Sequence, residues 1–170
     1  MSGQQVTLRW NAASDAQTPV LGLTYNIRVG TRPGACDIVS PQSAANGFRL
    51  LPQRGNAEHR LFSTVVGLKG RIYYWSVQAV DTAFAGGPFA PEQTFIVPPA
   101  FQEIHVQPDG NIQLRFLGAV GGTNYTLEAS TNLTQWSAIA NPMADAAGIF
   151  QYTETNRMNI PIRFYRVRLP

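Results

Sequence analysis

The stretch "RIYYWSVQAVDTAFAGGPFA", residues 71–90, alternates large apolar and polar side chains before it ends in glycine, proline and alanine. A period of two residues is typical of a half-buried β-strand, and the Gly-Gly-Pro segment predicts a hairpin that closes it. Alternation divides the strand into a core face with Tyr73, Trp75, Val77 and Ala79 and an opposite face with Tyr74, Ser76 and Gln78. Trp75 is therefore expected to be a core residue.

The same period recurs along the whole chain. It is found in "VTLRW" (6–10), "LTYNIRVG" (23–30), "NIQLRF" (111–116), "NYTLEAS" (124–130) and "RFYRVRL" (163–169). No window sustains the 3.6-residue apolar stripe of a helix, and Gly, Pro, Asn and Asp separate the apolar runs as turns do. The pattern therefore predicts an all-β fold.

The segment "IVPPAFQEI", residues 96–104, predicts a domain boundary. Pro98 and Pro99 cannot donate ladder hydrogen bonds, so the first sandwich is expected to end near Val97. After it, the strand pair of residues 6–10 and 23–30 is repeated more briefly in residues 111–116 and 124–130. We therefore expect two tandem immunoglobulin-like or fibronectin type III-like β-sandwiches, one spanning residues 1–97 and a smaller one spanning 98–170.

Longer motifs carry a resemblance to known families. The segments "GLTYNIRVGT" (22–31) and "YYWSVQAVDTAFAGGPFAPEQTF" (73–95) resemble the fibronectin type III-like segment that follows FG-GAP/VCBS β-propeller repeats in large secreted bacterial proteins. The segments "YTLEASTNLTQW" (125–136) and "RFYRVRLP" (163–170) resemble small C-terminal β-sandwich modules of secreted proteins from Verrucomicrobia-like bacteria. The resemblance implies an extracellular or cell-surface location and neighbouring domains, among them a β-propeller. It carries no established activity.

Composition restricts the classes of partner. Charged residues are only 14% of the chain, and Lys69 is the single lysine among 13 basic residues, so the clustered basic stripe that binds nucleic acid is missing. The single cysteine, Cys36, allows no intrachain disulfide. No run approaches the roughly 20 apolar residues of a membrane span. The first residues lack the pattern of a signal peptide, so any export signal is expected to lie outside the chain.

Catalytic and metal-binding patterns are weak. His59 and His105 fall in different predicted domains, and nothing in the sequence supplies an orienting group for a Cys36–His59 pair. The acidic residues are isolated near strand ends, without the paired placement of glycoside hydrolases or the Asp-x-Asp spacing of calcium loops. We therefore expect no enzymatic activity, no metal and no cofactor.

Four aromatic residues are candidates for ligand contact, namely Phe84, Phe89, Tyr74 and Trp136. Two interpretations of the Phe84–Phe89 loop are open: a recognition tip with exposed rings, or a plug that folds back over the end of the sandwich. Small Ala and Gly neighbours favour the plug, and Trp136 is more typical of a core position than of an exposed platform. The expected function is that of non-catalytic structural and interaction modules that serve spacing, surface display or protein docking. The alternative is a carbohydrate-binding module that uses exposed aromatics.

Overall fold

The computed structural model describes residues 4–155 and 162–169. These residues form eleven β-strands and one short 3-10 turn, Val20–Gly22. The strands are β1 (Gln4–Arg9), β2 (Thr24–Gly30), β3 (Phe62–Leu68), β4 (Arg71–Val80), β5 (Gln93–Val97), β6 (Ala100–Val106), β7 (Ile112–Leu117), β8 (Thr126–Ser130), β9 (Ser137–Ala140), β10 (Phe150–Glu154) and β11 (Phe164–Arg168). No helix in these two ranges has the length and apolar character needed to cross a membrane.

The strands assemble into four small sheets. Their orders are β1-β3, β2-β4-β5, β10-β7-β6 and β11-β8-β9. The strand pairs whose register is defined, such as β2 with β4 and β8 with β11, run antiparallel. The all-β fold predicted from the sequence is confirmed, and the sheets are consistent with β-sandwich architecture.

Two compact units divide the chain. The N-terminal unit contains residues 5–66 and 72–96. The C-terminal unit contains the described residues from 97 onward, together with Gln4 and Gly67–Arg71. Each unit is described separately below.

The core of the N-terminal unit is built on the pairing of β2 with β4. Tyr25 lies opposite Ala79 and Val29 lies opposite Trp75, so the apolar sides of both strands share one face. Tyr25, Ile27 and Val29 are buried there, as the alternation of residues 23–30 predicts. Leu8 of β1 and Val65 of β3 are buried as well.

The prediction of the two faces of β4 is partly wrong. Trp75, Val77 and Ala79 are only half-buried, whereas Ser76 and Gln78 on the opposite face are 2% and 0% exposed. Two causes combine. A groove lies over Val77 and Ala79, and the opposite face of the sheet is covered by polar contacts from residues 40–57 and from the hairpin after β4.

The core of the C-terminal unit follows the predicted alternation. Ile112, Leu114 and Phe116 of β7 are buried, as are Tyr125 and the β8 residues Leu127 and Ala129. The Phe150 ring stacks between two of these side chains, with centroids 4.8 Å from Phe116 and 5.3 Å from Tyr125. This aromatic stack joins β10 and β7 to the segment that enters β8.

The Phe150→Ala substitution tests the stack. Removing a fully packed ring leaves a cavity, so the free energy of unfolding should fall by about 3–5 kcal/mol. Urea denaturation followed by circular dichroism measures this change. Val106→Ala, at a β6 position that is 63% exposed, is the matched control and should change stability by less than about 0.5 kcal/mol. Equal losses for the two variants would contradict the assignment of Phe150 to the core.

Candidate functional site

The buried amide of Gln78 organises the loops at one end of the N-terminal unit. Its Nε2 donates to the carbonyl oxygens of Gly47 and Gly87. Its Oε1 accepts from Asn26 Nδ2 at 3.0 Å and from Ser43 Oγ at 2.9 Å. These four bonds use the full donor and acceptor capacity of a glutamine amide. Gln78 therefore fixes two loops on the sheet, the Phe48 loop (residues 44–53) and the closing hairpin (residues 81–91).

Glycine is required where these two loops approach each other. Gly47 has φ +93°, and a Cβ atom built on it would lie 2.7 Å from the Gly87 oxygen. A Cβ atom on Gly86 would lie 2.3 Å from Gln78 Nε2. Distances below about 3 Å are inside van der Waals contact, so any side chain at these positions would separate the loops from the amide.

Arg49 holds the Phe48 loop from within. Its Nη1 donates to Pro41 O at 2.8 Å and to Ser43 Oγ at 3.1 Å, and its Nη2 donates to Gln53 O at 3.0 Å. Burial of the guanidinium lowers the pKa of Arg49 from its ordinary value. The side chain therefore acts as an internal tie for backbone carbonyls, and it adds no charge to the outer surface of the loop.

Large apolar side chains are exposed around this fixed scaffold. Phe48 is 71% exposed and Phe84 is 38% exposed, and both line one hollow of about 300 Å³. The 3-10 turn lies beside the same hairpin, because Thr18 Oγ1 is 3.3 Å from Thr82 Oγ1. We call this surface the apolar tip; its exposed members are Val20, Leu21, Phe48, Leu50, Leu51 and Phe84.

A groove of about 640 Å³ lies on the other side of the closing hairpin. Its floor is formed by Tyr25, Val77 and Ala79. One wall is the segment from Trp10 to Asp15, and the other is the part of the hairpin from Ala85 to Pro91. Ala85 and Gly86 line both this groove and the hollow of the apolar tip, so the hairpin separates the two surfaces.

Only two of the four predicted contact residues lie on the same structural element. Phe84 and Phe89 belong to the same hairpin but to different surfaces, the hollow and the groove. Tyr74 is half-buried opposite Gly30, near the start of β4. Trp136 is half-buried in the C-terminal unit, where the Arg166 guanidinium lies 4.2 Å from its ring centroid.

The plug interpretation of the hairpin is wrong for Phe84 and partly correct for Phe89. Phe84 is exposed, its backbone has φ +64°, and its side chain lines the hollow. Phe89 is half-buried, with the Arg28 guanidinium 4.6 Å from its ring centroid. Sequence reasoning also missed Phe48, although the run "GFRLLP" (47–52) concentrates apolar residues in a loop without strand alternation.

Chemistry-bearing side chains are dispersed over the described residues. Within the ranges 4–155 and 162–169, no three His, Cys, Asp or Glu side chains lie close enough to hold a metal ion together. Cys36 is exposed as a free thiol. The loop end of the N-terminal unit combines exposed apolar side chains with a hydrogen-bonded backbone.

Comparisons with known proteins give no functional assignment. The sequence matches no protein-family model. No curated protein is significantly similar to it. Functional inference for this chain therefore rests on the geometry of the apolar tip and the groove.

The Gln78→Met substitution tests the central amide. Methionine fills a similar volume but leaves the carbonyls of Gly47 and Gly87 without their donor, so we expect the free energy of unfolding to fall by about 2–4 kcal/mol. Thermal and urea denaturation measure this loss. The control is Gln113→Met, because Gln113 makes one surface hydrogen bond, to Gln151, and its loss should cost less than about 1 kcal/mol. A Gln78→Met protein as stable as the parent would reject the clamp.

Proposed function

We propose that the chain is a non-catalytic pair of structural and interaction modules from a secreted or cell-surface bacterial protein, and that its apolar tip docks a protein partner. The main support for the proposal is the exposed apolar area of the tip. Six large apolar side chains are exposed on adjoining loops of the N-terminal unit. Single exposed apolar residues are normal on protein surfaces, but contiguous groups of this kind mark interaction sites.

The charge of the tip favours a protein partner. Residues 18–22, 46–53 and 82–85 contain one ionisable side chain, Arg49, and it is directed inward. The centres of protein interfaces are depleted in charge and rich in aromatic residues. Surfaces that lie on membranes combine apolar residues with exposed lysine or arginine. A tip with two phenylalanines and a single arginine that is held by internal hydrogen bonds fits the first description.

The scaffold beneath the tip supports the same conclusion. Gln78 ties the Phe48 loop to β4 through the Gly47 carbonyl, and Arg49 holds the loop internally through the carbonyls of Pro41 and Gln53. A loop that is ordered before binding loses less conformational entropy when the partner arrives. Exposed phenylalanines on a preorganised loop are therefore suited to act as interface anchors.

Carbohydrate binding through exposed aromatics is less well supported by the geometry. Guanidinium groups lie over one face of the Phe89 ring and one face of the Trp136 ring, which leaves at most the other face of each for a sugar. Phe48 and Phe84 have few hydrogen-bonding side chains beside them to contact hydroxyl groups. Protein docking at the apolar tip remains the proposed function.

A double substitution tests docking. Photo-crosslinking from position 48 in a preparation of bacterial envelope proteins identifies the partner, which is then purified for calorimetry. Replacing both aromatic anchors by Phe48→Gln and Phe84→Asn should weaken its binding at least about thirtyfold, the effect of losing a hot spot of about 2 kcal/mol. Asparagine tolerates the positive φ of position 84. The melting temperature should be nearly unchanged, because both rings are exposed.

Val66→Gln is the matched control, because Val66 is 65% exposed in β3 and lies outside the tip. It should leave affinity for the partner unchanged. An equal loss of affinity for this control and the double variant would reject docking through the tip. Glycan-array binding that disappears in the double variant, without any protein partner, would establish the carbohydrate alternative.

A further inference from the structure

The groove beside the closing hairpin has the chemistry of a second binding site. Its floor is apolar, formed by Tyr25, Val77 and Ala79, and Trp10 and Phe89 contribute aromatic surface to its two walls. Trp10 is packed within the unit, with ring centroids 5.9 Å from Tyr25 and 6.4 Å from Trp75. The volume of about 640 Å³ is within the range of about 300–1,000 Å³ that is typical of ligand pockets.

The charges that line the groove are of one sign. Its ionisable lining residues with a charge at neutral pH are Asp15 and Asp81. The nearest guanidinium described, that of Arg28, does not line the groove: it lies 4.6 Å from the Phe89 centroid and pairs with Glu92 at 3.3 Å. The groove therefore presents two uncompensated carboxylates beside apolar walls, which is complementary to a cation attached to an apolar body.

Both carboxylates are held in place by backbone hydrogen bonds. Asp15 Oδ1 accepts from the amides of Gln17 and Thr18, at 2.9 and 2.6 Å. Asp81 Oδ1 accepts from the amide of Ala85 at 2.7 Å. The Thr18 side chain also hydrogen-bonds the Asp15 carboxylate, whereas the Asp81 carboxylate accepts no further hydrogen bond from the described part of the chain. The amides of Thr18 and Gln17 lower the pKa of Asp15, so it stays ionised at neutral and mildly acidic pH.

The backbone of the hairpin wall selects against an added β-strand. The amides of Gly87 and Ala90 already donate to the carbonyls of Ala79 and Val77. Pro88 and Pro91 have no amide to offer. These positions of the hairpin wall offer no amides to a ligand, and a polyproline II segment suits such a wall because it needs no ladder hydrogen bonds.

We propose that this groove binds an extended peptide segment of a partner protein in which arginine or lysine stands beside proline or another apolar residue. The apolar residues lie on Val77 and Ala79 between Trp10 and Phe89, as proline-rich segments dock in aromatic-lined grooves. The basic side chains reach the Oδ2 atoms of Asp15 and Asp81. This site is separate from the apolar tip, so it adds a second function that does not depend on the first.

Synthetic peptides test the proposal on the full chain. The probe is a capped Arg-Pro-Leu-Pro-Pro-Arg hexapeptide, and its matched control replaces both arginines by citrulline, which has nearly the same shape without the charge. Titration into the ¹⁵N-labelled protein should shift the amides of residues 13–17 and 81–90. The arginine peptide should bind about tenfold more tightly than the citrulline peptide, and raising the salt concentration from about 0.05 to 0.5 M should remove most of this difference.

The Asp15→Asn, Asp81→Asn double variant tests the same contacts from the protein side. Asparagine keeps an oxygen that accepts the backbone amides, so the fold should persist, which the amide spectrum verifies. Binding of the arginine peptide should weaken about tenfold to the level of the citrulline peptide. Asp109→Asn is the matched control, since Asp109 makes the same kind of turn bond, to Asn111, in the C-terminal unit; it should change nothing.

Four results would overturn the proposal. The first is no binding of the arginine peptide at about 5 mM, a concentration that reveals even millimolar affinity, and the second is equal affinity for both peptides at low salt. The third is chemical shift changes confined to amides outside the groove, and the fourth is groove shifts caused by cellohexaose but not by the arginine peptide. The last result would identify the groove as a sugar site. Failure of the docking test at the apolar tip leaves this proposal untouched, because the two tests use different residues and probes.

Discussion

The amide of Gln78 is the constraint on which the loops of the N-terminal unit depend. A buried amide is costly unless all its donors and acceptors are paired, and the partners of Gln78, which itself lies on β4, come from three other segments of the chain. Asn26 lies on β2, Ser43 and Gly47 lie on the segment between β2 and β3, and Gly87 lies on the hairpin after β4. Satisfying one side chain therefore fixes the relative positions of four segments.

This clamp explains how irregular loops are held in place beside exposed apolar side chains. The closing hairpin is anchored at Gly87; Phe84 lines the hollow beside the Phe48 loop, Phe89 lines the groove, and Ala85 and Gly86 line both. Arg49 adds a second tie beneath the exposed Phe48 ring. Polar bonds thus stabilise the inner side of each loop, which leaves apolar residues free to point outward. A fixed loop that exposes apolar area loses less conformational entropy on binding than a flexible loop would.

Alternation predicted the strands and much of the core because it depends on local geometry alone. Ile112, Leu114 and Phe116 are buried as expected, since one face of β7 meets the core. The same rule misplaced Gln78 because it assumes that the second face of a strand meets solvent. That face of β4 is covered by residues 40–57, which form no regular strand. The polar residues of this segment that contact Gln78 look like surface residues in the sequence. Exposure of Phe48 likewise depends on tertiary contacts that no local pattern encodes.

In the proposed functions, the two surfaces beside the hairpin would supply different parts of recognition. The apolar tip offers contact area with little directionality, so it can contribute affinity but discriminates weakly between apolar partners. The groove offers fixed carboxylates and aromatic walls, which discriminate by charge and shape at a small gain in affinity. Only the width of the hairpin separates them. A partner with an apolar surface and a nearby basic segment would therefore bind the second surface intramolecularly once it held the first, and its total affinity would exceed that of either contact.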